Sequence, residues 1–431
     1  MISTNTASIP LLPNSISYDS LNNVPIKLAS TGNDESGGNS ASPLSGVLNL
    51  TNTLLGGGVA FVALPLAVKE ISVLPFLVLL CLSAFCNSFT CNLLHKTADL
   101  LASDSTSSSS SPPTYFSLAS NLGSWSHLVT TFIFLNNLGV CIAFLTIFGD
   151  SFPNVTGLDR TTSICAVSAA LLLPMVLLKD LHKLRFLSLL SITLCLYFTV
   201  LVCTVFTQDT GLHSDLPTPA PPSFLGCLNA LASTTLSYTC HYNVLPIRNG
   251  LKDKRDIKTV VNYSMLNVTL LFAAVGTLGY WSHPDTTGDI LADFNSKLTG
   301  VFAVSIALAF TFPLIAFEGV NCALSLLAAI SPQSEQALNS SSGYTAVKIA
   351  FTLLCCGVAV AVKDTGKFIG VVGSLAGVPI MYIFPCAVFL KVGGEGRAEK
   401  DVWGARVGLG LGCVCFVLCT TSSALAFAGI E

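Results

Sequence analysis

The sequence predicts an all-α polytopic membrane protein of about 11 transmembrane helices, arranged as a 5+5 inverted repeat plus one extra helix. Three observations predict it. First, only 10% of the 431 residues are charged (20 basic, 23 acidic) and 52% are apolar, whereas a soluble domain carries about 25% charge. Second, charge-free stretches recur along the chain, each long enough to supply the ~20 apolar residues that cross a bilayer core. Third, two of these stretches, in corresponding places, carry helix-breaking residues at mid-span. At about 150 residues per domain the length would suggest three soluble domains. So little charge cannot cover their surfaces, so the missing polar surface faces lipid. A soluble enzyme, a nucleic-acid binder and a disordered protein are excluded, and a net charge of −3 gives no general attraction to polyanions.

Residues 1–43 are polar and rich in Ser, Asn and Pro. They lack the basic and apolar regions of a secretory leader and are expected to form a disordered cytoplasmic tail. The transmembrane domain occupies 44–431. Its first repeat, 44–207, holds span 1 at 44–65 and further spans in the stretches 71–95, 105–149, 161–178 and 186–208. The third of these opens with a flexible Ser/Pro linker, 105–113. The second repeat, 224–391, holds spans in 224–247, 259–284, 298–317, 343–362 and 368–390. Stretch 343–362 is the weakest, since Lys348 interrupts it. The extra helix is 403–428. The repeats are 164 and 168 residues long. An odd number of spans in each inserts the second one upside down.

Loop charge agrees with that count. With the N-terminus inside, Lys69, Arg160, Lys297, Lys363 and Lys367 fall outside, and the other 15 of the 20 basic residues fall inside. The basic run Arg248–Lys258 is expected to be a topology determinant at an inner loop, with anionic lipid as a secondary contact. The sequon Asn154-Val155-Thr156 falls in an outer loop and is a usable glycosylation site. The 16 cysteines lie mostly in apolar runs without a CxxC pair and read as packing residues.

Span 1 carries Gly56-Gly57-Gly58 at its middle. Each glycine costs a helix about 1 kcal/mol relative to alanine, so the triplet favours unwinding, although close packing of small residues would also use it. Span 6 clusters polar groups at mid-span and adds Pro246, which removes a backbone donor and disfavours helix just before it. Unpaired backbone in hydrocarbon survives only where it lines a cavity.

Four pieces of sequence carry a family resemblance. They are Asn49-Leu50-Thr51-Asn52 with Gly56–Gly58 and Leu64-Pro65 in span 1; Asn136-Asn137-Leu138-Gly139 with Phe144-Leu145 and Gly149-Asp150 in span 3; Cys240-His241-Tyr242-Asn243-Val244-Leu245-Pro246-Ile247 in span 6; and Gly373-Ser374 with Ile383-Phe384-Pro385 in span 10. Through them, residues 44–428 resemble the amino acid/auxin permease family of neutral and vacuolar amino acid transporters. The span 6 string is similar to plant vacuolar-type members. Phe144, where relatives often place Tyr, and Glu318, where they have an apolar residue or Pro, are departures.

The resemblance implies a LeuT-type fold, an amino acid substrate, H+ or Na+ as the driving ion, no cofactor, and a vacuolar, endomembrane or plasma-membrane location. Neutral zwitterions suit a site with little side-chain charge. N–H groups at Gly56, Gly57 and Gly58, at the positive end of a half-helix, would take the carboxylate. Backbone carbonyls of Tyr238, Thr239 and Cys240 would take the ammonium. His241 has three readings: a residue hydrogen-bonded to backbone at the break, a pocket wall, or a proton carrier with an ordinary pKa of ~6.5. By resemblance, Asn52 and Thr311 would hold a cation. The competing reading of Thr311 is a hydroxyl bonded back to the preceding helical turn. Glu318 is a candidate proton carrier, or a hydrated group near the cytoplasmic mouth.

The expected protein is a secondary active transporter working by alternating access, a monomer in lipid without nucleic-acid partners. An amino-acid-sensing receptor on the same scaffold, with little flux, is the alternative. Enzyme chemistry is not expected, because the six His are scattered and HExxH, GxSxG and P-loop patterns are missing.

Overall fold

The apolar stretches fold as helices in the computed structural model, which describes residues 41–57, 59–103, 112–178, 185–209, 221–286, 290, 298–331, 340–393 and 397–428. The expected disordered tail (apart from its last three residues), most of the Ser/Pro linker and Gly58 lie outside the described residues. Helix α1 (Pro43–Gly57) passes through a tight 3-10 turn (Val59–Ala63) into α2 (Leu64–Ile71). Helices α3 (Val73–Ser103), α4 (Ser126–Ser151), α5 (Arg160–Leu177) and α6 (Arg185–Asp209) follow. The second half begins with another divided segment, α7 (Phe224–Ser237) and α8 (His241–Gly250). Then come α9 (Ile257–Ser282), α10 (Leu298–Ile330), α11 (Ser341–Ala361), α12 (Thr365–Val392) and α13 (Glu399–Phe427). Among the described residues, nine helices, α3–α6 and α9–α13, are long and apolar enough to cross a membrane. The two divided segments are those expected to be spans 1 and 6.

Side-chain oxygens start several of these helices by accepting orphan N–H groups: Ser223 from Gly226, Ser340 from Gly343 and Asp364 from Lys367. Burial sorts the helices into layers. In their most apolar 18 residues, about two-thirds or more of α4, α10 and α12 is buried, against less than a third of α3, α11 and α13. The outer helices present Leu74, Phe85, Leu353 and Val417 to the surroundings, as lipid-facing helices must.

Three local outcomes differ from, or resolve, the expectations. The weak span forms one continuous helix, α11. Its Lys348 ammonium lies 5.0 Å from the centre of the Tyr344 ring and donates to the Leu178 carbonyl at 3.4 Å. A short helix, Tyr115–Ser120, which the sequence did not set apart, lies between the expected linker 105–113 and α4. Thr114 and Ser117 cap it reciprocally, and the buried Tyr115 hydroxyl donates to the Ile380 carbonyl at 2.8 Å. Arg248 is not a solvated loop charge. It lies in α8, buried, paired with Asp99, and donates to His95 Nδ1 at 2.9 Å.

Lys96 of α3 pairs with Asp401 of α13 at 2.6 Å at the same end of the bundle. Beside it, Ala41 exchanges backbone hydrogen bonds with Gly250 and Lys252. At the other end, Asp150 of α4 accepts from Arg160 of α5 and from the Thr365 hydroxyl of α12, both at 2.6 Å.

Close approach between α7 and α12 fixes the centre. Helix α12 contains two π turns, Gly373–Gly377 and Pro379–Ile383. A Cβ at Gly373 would sit 2.1 Å from the Ala232 carbonyl oxygen, so only glycine lets the two backbones meet. Gly373→Ala is therefore expected to destabilise the fold by about 1–3 kcal/mol, read as a lower melting temperature in detergent. Gly357→Ala, at a position inside α11 with open space around it, should not lower melting and should raise it, by up to about 1 kcal/mol of stability.

Candidate functional site

The first break follows the glycine triplet. Gly56 and Gly57 form the last turn of α1, and Gly58 lies outside the described residues. Amides in the last turn of a helix bond within it. Unpaired N–H groups therefore belong to the head of the Val59–Ala63 turn, with the glycines supplying an approach free of side chains. Pro65, in the first turn of α2, restarts the helix.

The second break is at Tyr238–Cys240. Tyr238 N–H reaches back to the Thr234 and Thr235 carbonyls, and Thr239 N–H to Leu236. The Cys240 carbonyl accepts from Asn243 N–H at 2.9 Å and opens α8. Carbonyls of Ser237, Tyr238 and Thr239 receive no backbone hydrogen bond among the described residues. All three break residues are buried. Their side chains are engaged elsewhere: the Tyr238 hydroxyl with Thr269 at 2.6 Å and its ring with Phe272, the Thr239 hydroxyl with Met381 sulfur at 3.3 Å. What Tyr238 and Thr239 offer a ligand is backbone, and Cys240 adds a thiol. Pro246 does not make this break, contrary to its expected part. It lies inside α8, and the helix continues through it.

His241 opens α8 fully buried, with Nε2 2.8 Å from Thr90 Oγ1. Thr90 Oγ1 also lies 3.1 and 3.2 Å from the Cys86 and Asn87 carbonyls. Where the hydroxyl donates to one of those carbonyls, Nε2 carries the proton and donates to Thr90; where it donates to Nε2, the ring proton is on Nδ1. The reading in which His241 bonds to backbone is thus corrected: its partner is a hydroxyl on α3. Nδ1 has no partner among the described residues.

The Thr311 hydroxyl donates to the Ala307 carbonyl at 2.9 Å, which is the back-bond, and also meets Ser191 Oγ of α6 at 3.3 Å. Asn52 is half-buried on α1, its Oδ1 unpartnered among the described residues. Helices α1, α6 and α10 pack on one another, so the elements bearing Asn52 and the Ser191–Thr311 pair are neighbours. Glu318 is half-buried on α10. At Gly319, next to it, an added Cβ would lie 3.4 Å from Asn137 Cβ. Asn154 lies in a short helical turn, Pro153–Thr156, just beyond α4.

Sequence reasoning named neither Ser191 nor Asn137 as a site residue. Asn137 is fully buried in α4 with both amide atoms unpartnered among the described residues, and Asn136 Oδ1 and Thr234 Oγ1 are unpartnered too. A signal existed, since paired amides inside a mostly apolar span are costly and mark function. Ser191, one of three hydroxyl residues in the run 186–196 with Ser188 and Thr193, gave none. Buried polar atoms are rarely left unpaired, which makes these atoms exceptions in the interior. An open cavity of about 870 Å³ lies elsewhere, at the Arg248 end beside His95, Asp99 and Lys252.

The sequence profile of the family described as Transmembrane amino acid transporter protein matches residues 39–428. Vacuolar amino acid transporter 7 of Saccharomyces cerevisiae is 28% identical over 64% of this chain and 57% of its own length. Amino acid transporter AVT6B of Arabidopsis thaliana is 25% identical over 88% of this chain and 89% of its own. Sodium-coupled neutral amino acid transporter 7 of Xenopus laevis is 24% identical over 66% and 68%. Among solved structures, the inward-facing conformation of Mhp1 matches with a TM-score of 0.57 at 10% identity, covering 90% of each chain. The closed conformation of Mhp1, a nucleobase-cation-symport-1 family transporter, with bromovinylhydantoin bound, matches at 0.55 and 11% identity, over 91% and 92%. The likeness is one of fold, the LeuT-type helical arrangement.

Asn137→Leu replaces an unpaired buried amide by an apolar group of similar size. It should raise stability by about 1 kcal/mol, read as a higher melting temperature of the ligand-free protein. A fall would mean that the amide is already satisfied.

Proposed function

Because the chain belongs to the family described as Transmembrane amino acid transporter protein, we propose that it is a secondary active transporter that moves a neutral amino acid across a membrane by alternating access, coupled to H+ or Na+. The observation that carries this reading is the pair of helix breaks, one after Gly57 and one, buried, at Tyr238–Cys240. Their chemistries are complementary. N–H donors and a positive dipole end at the first suit a carboxylate, and unpaired carbonyls at the second suit an ammonium. A zwitterion bridging them satisfies both sets without a charged side chain, which favours neutral cargo.

The cation site is proposed at Asn52 with the Thr311 hydroxyl, and Ser191 joins it as a third oxygen. These oxygens suit a hard cation such as Na+, whereas H+ would need a titrating group such as Glu318 or His241. Transport proceeds by rocking of the broken-helix bundle against the remaining helices around a fixed midplane site. The fifteen-to-five division of basic charge supports a cytoplasmic N-terminus. The names of the yeast and plant relatives favour a vacuolar or other endomembrane site. Asn154 is then the acceptor for glycosylation on the non-cytoplasmic face.

Proteoliposome uptake of labelled neutral amino acids, driven by a pH gradient or a Na+ gradient in turn, tests the reading and identifies the ion. Binding without flux would establish the receptor alternative instead. Gly57→Val should abolish uptake in a correctly localised, folded protein, because a branched side chain fills the carboxylate approach. Normal uptake would rule that seat out. Glu318→Gln should remove substrate-driven proton flux at unchanged surface level if Glu318 is the carrier, while unchanged flux removes it from that role.

A further inference from the structure

We propose that Cys91, Cys240 and His241 form a binding site for a thiophilic divalent cation, Zn2+ or Cd2+, which pins the second helix break to α3 and blocks transport. Cys91 is a residue of α3, Cys240 is the last residue of the break and His241 the first of α8. One ligand atom from each, two thiol sulfurs and a ring nitrogen, lies within 4.8 Å of the others, and all three residues are buried.

The histidine is already prepared as a ligand. Thr90 occupies Nε2, and Nδ1 is left as a buried nitrogen without a partner among the described residues. A hydrogen bond from the far nitrogen that fixes tautomer and ring orientation is the usual support of a metal-bound imidazole. Tetrahedral Zn2+ sits ~2.3 Å from sulfur and ~2.0–2.1 Å from nitrogen, so small side-chain rotations close the cluster onto an ion. Two thiols and an imidazole form a soft set that selects against Na+ and Mg2+. Binding converts both thiols to thiolates and releases two protons to solvent, and the fourth position stays open to water. The site is enclosed here, so the ion enters when the bundle opens around the break.

The inhibitory half of this proposal rests on the transport reading. Carbonyls of Tyr238 and Thr239, proposed for the substrate ammonium, adjoin Cys240, and two cations compete there.

The test has two independent readouts. Detergent-purified protein, kept reduced, is titrated with CdCl2 and followed by Cd–thiolate charge-transfer absorption and by bound Cd2+ per chain. The wild type should take up one Cd2+ per chain more than Cys91→Ser. Cys165→Ser should match the wild type, although the Cys165 and Cys356 sulfurs lie only 4.0 Å apart. Thr90→Val should weaken the Cys91-dependent binding by about 10–100-fold. In proteoliposomes, Zn2+ should inhibit wild-type uptake and leave Cys91→Ser uptake intact. Equal absorption and stoichiometry in the wild type and Cys91→Ser overturn the site, whatever the uptake result. A Cys91-dependent Cd2+ signal with uptake insensitive to Zn2+ overturns the block. Absence of all wild-type uptake refutes the transport reading and leaves the site to be judged by Cd2+.

Discussion

Backbone N–H and C=O groups cannot go unpaired in hydrocarbon, where each costs several kcal/mol, and the rest of this structure follows from that constraint. A helix meets it without help. A helix that stops at Gly57 or Ser237 does not, so the open groups must be surrounded by protein or matched by a ligand. Helices α4, α10 and α12 are therefore the buried ones, and the glycine contact of α12 on α7 brings a full backbone against the segment that ends in the second break. The outer helices can be plain apolar rods because these inner ones enclose the irregular backbone.

Charge is handled by the same rule, moved to the two ends. Arg248 is held by Asp99 and His95 at one end, and Asp150 by Arg160 and Thr365 at the other. A buried guanidinium needs such partners, since removal of one leaves an uncompensated ion at a cost of about 3–5 kcal/mol. Each cluster joins helices distant in sequence, α3 with α8 and α4 with α12, and the second also ties α4 to its neighbour α5. They hold the bundle at its two ends.

What the sequence made legible were features that act locally. Scarcity of charge announced lipid. The glycine triplet announced the end of α1, and the polar string around Tyr238–Cys240 announced the second break. What it hid depends on partners far along the chain. Pro246 looks like a breaker, yet α8 runs through it, because a proline early in a helix removes only one bond and neighbouring structure can hold the rest. His241 found its hydroxyl 151 residues away, and Arg248 found Asp99 149 residues away. The short helix at Tyr115 was hidden because its anchor, the Ile380 carbonyl, lies 265 residues downstream. Spacing along one helix carries no trace of such pairs.

The lysine in α11 has a consequence for how the chain is made. A lysine well inside a span raises the cost of membrane insertion by about 2.5–3.5 kcal/mol at the helix centre, and Lys348 stands two turns into its helix. Its carbonyl partner, Leu178, ends the α5 segment and was synthesised 170 residues earlier; the aromatic ring beneath it comes from its own helix. The acceptor is thus in the bilayer before the lysine leaves the ribosome. The order of synthesis supplies the solvation that lipid withholds, and biogenesis of the second half leans on the completed first.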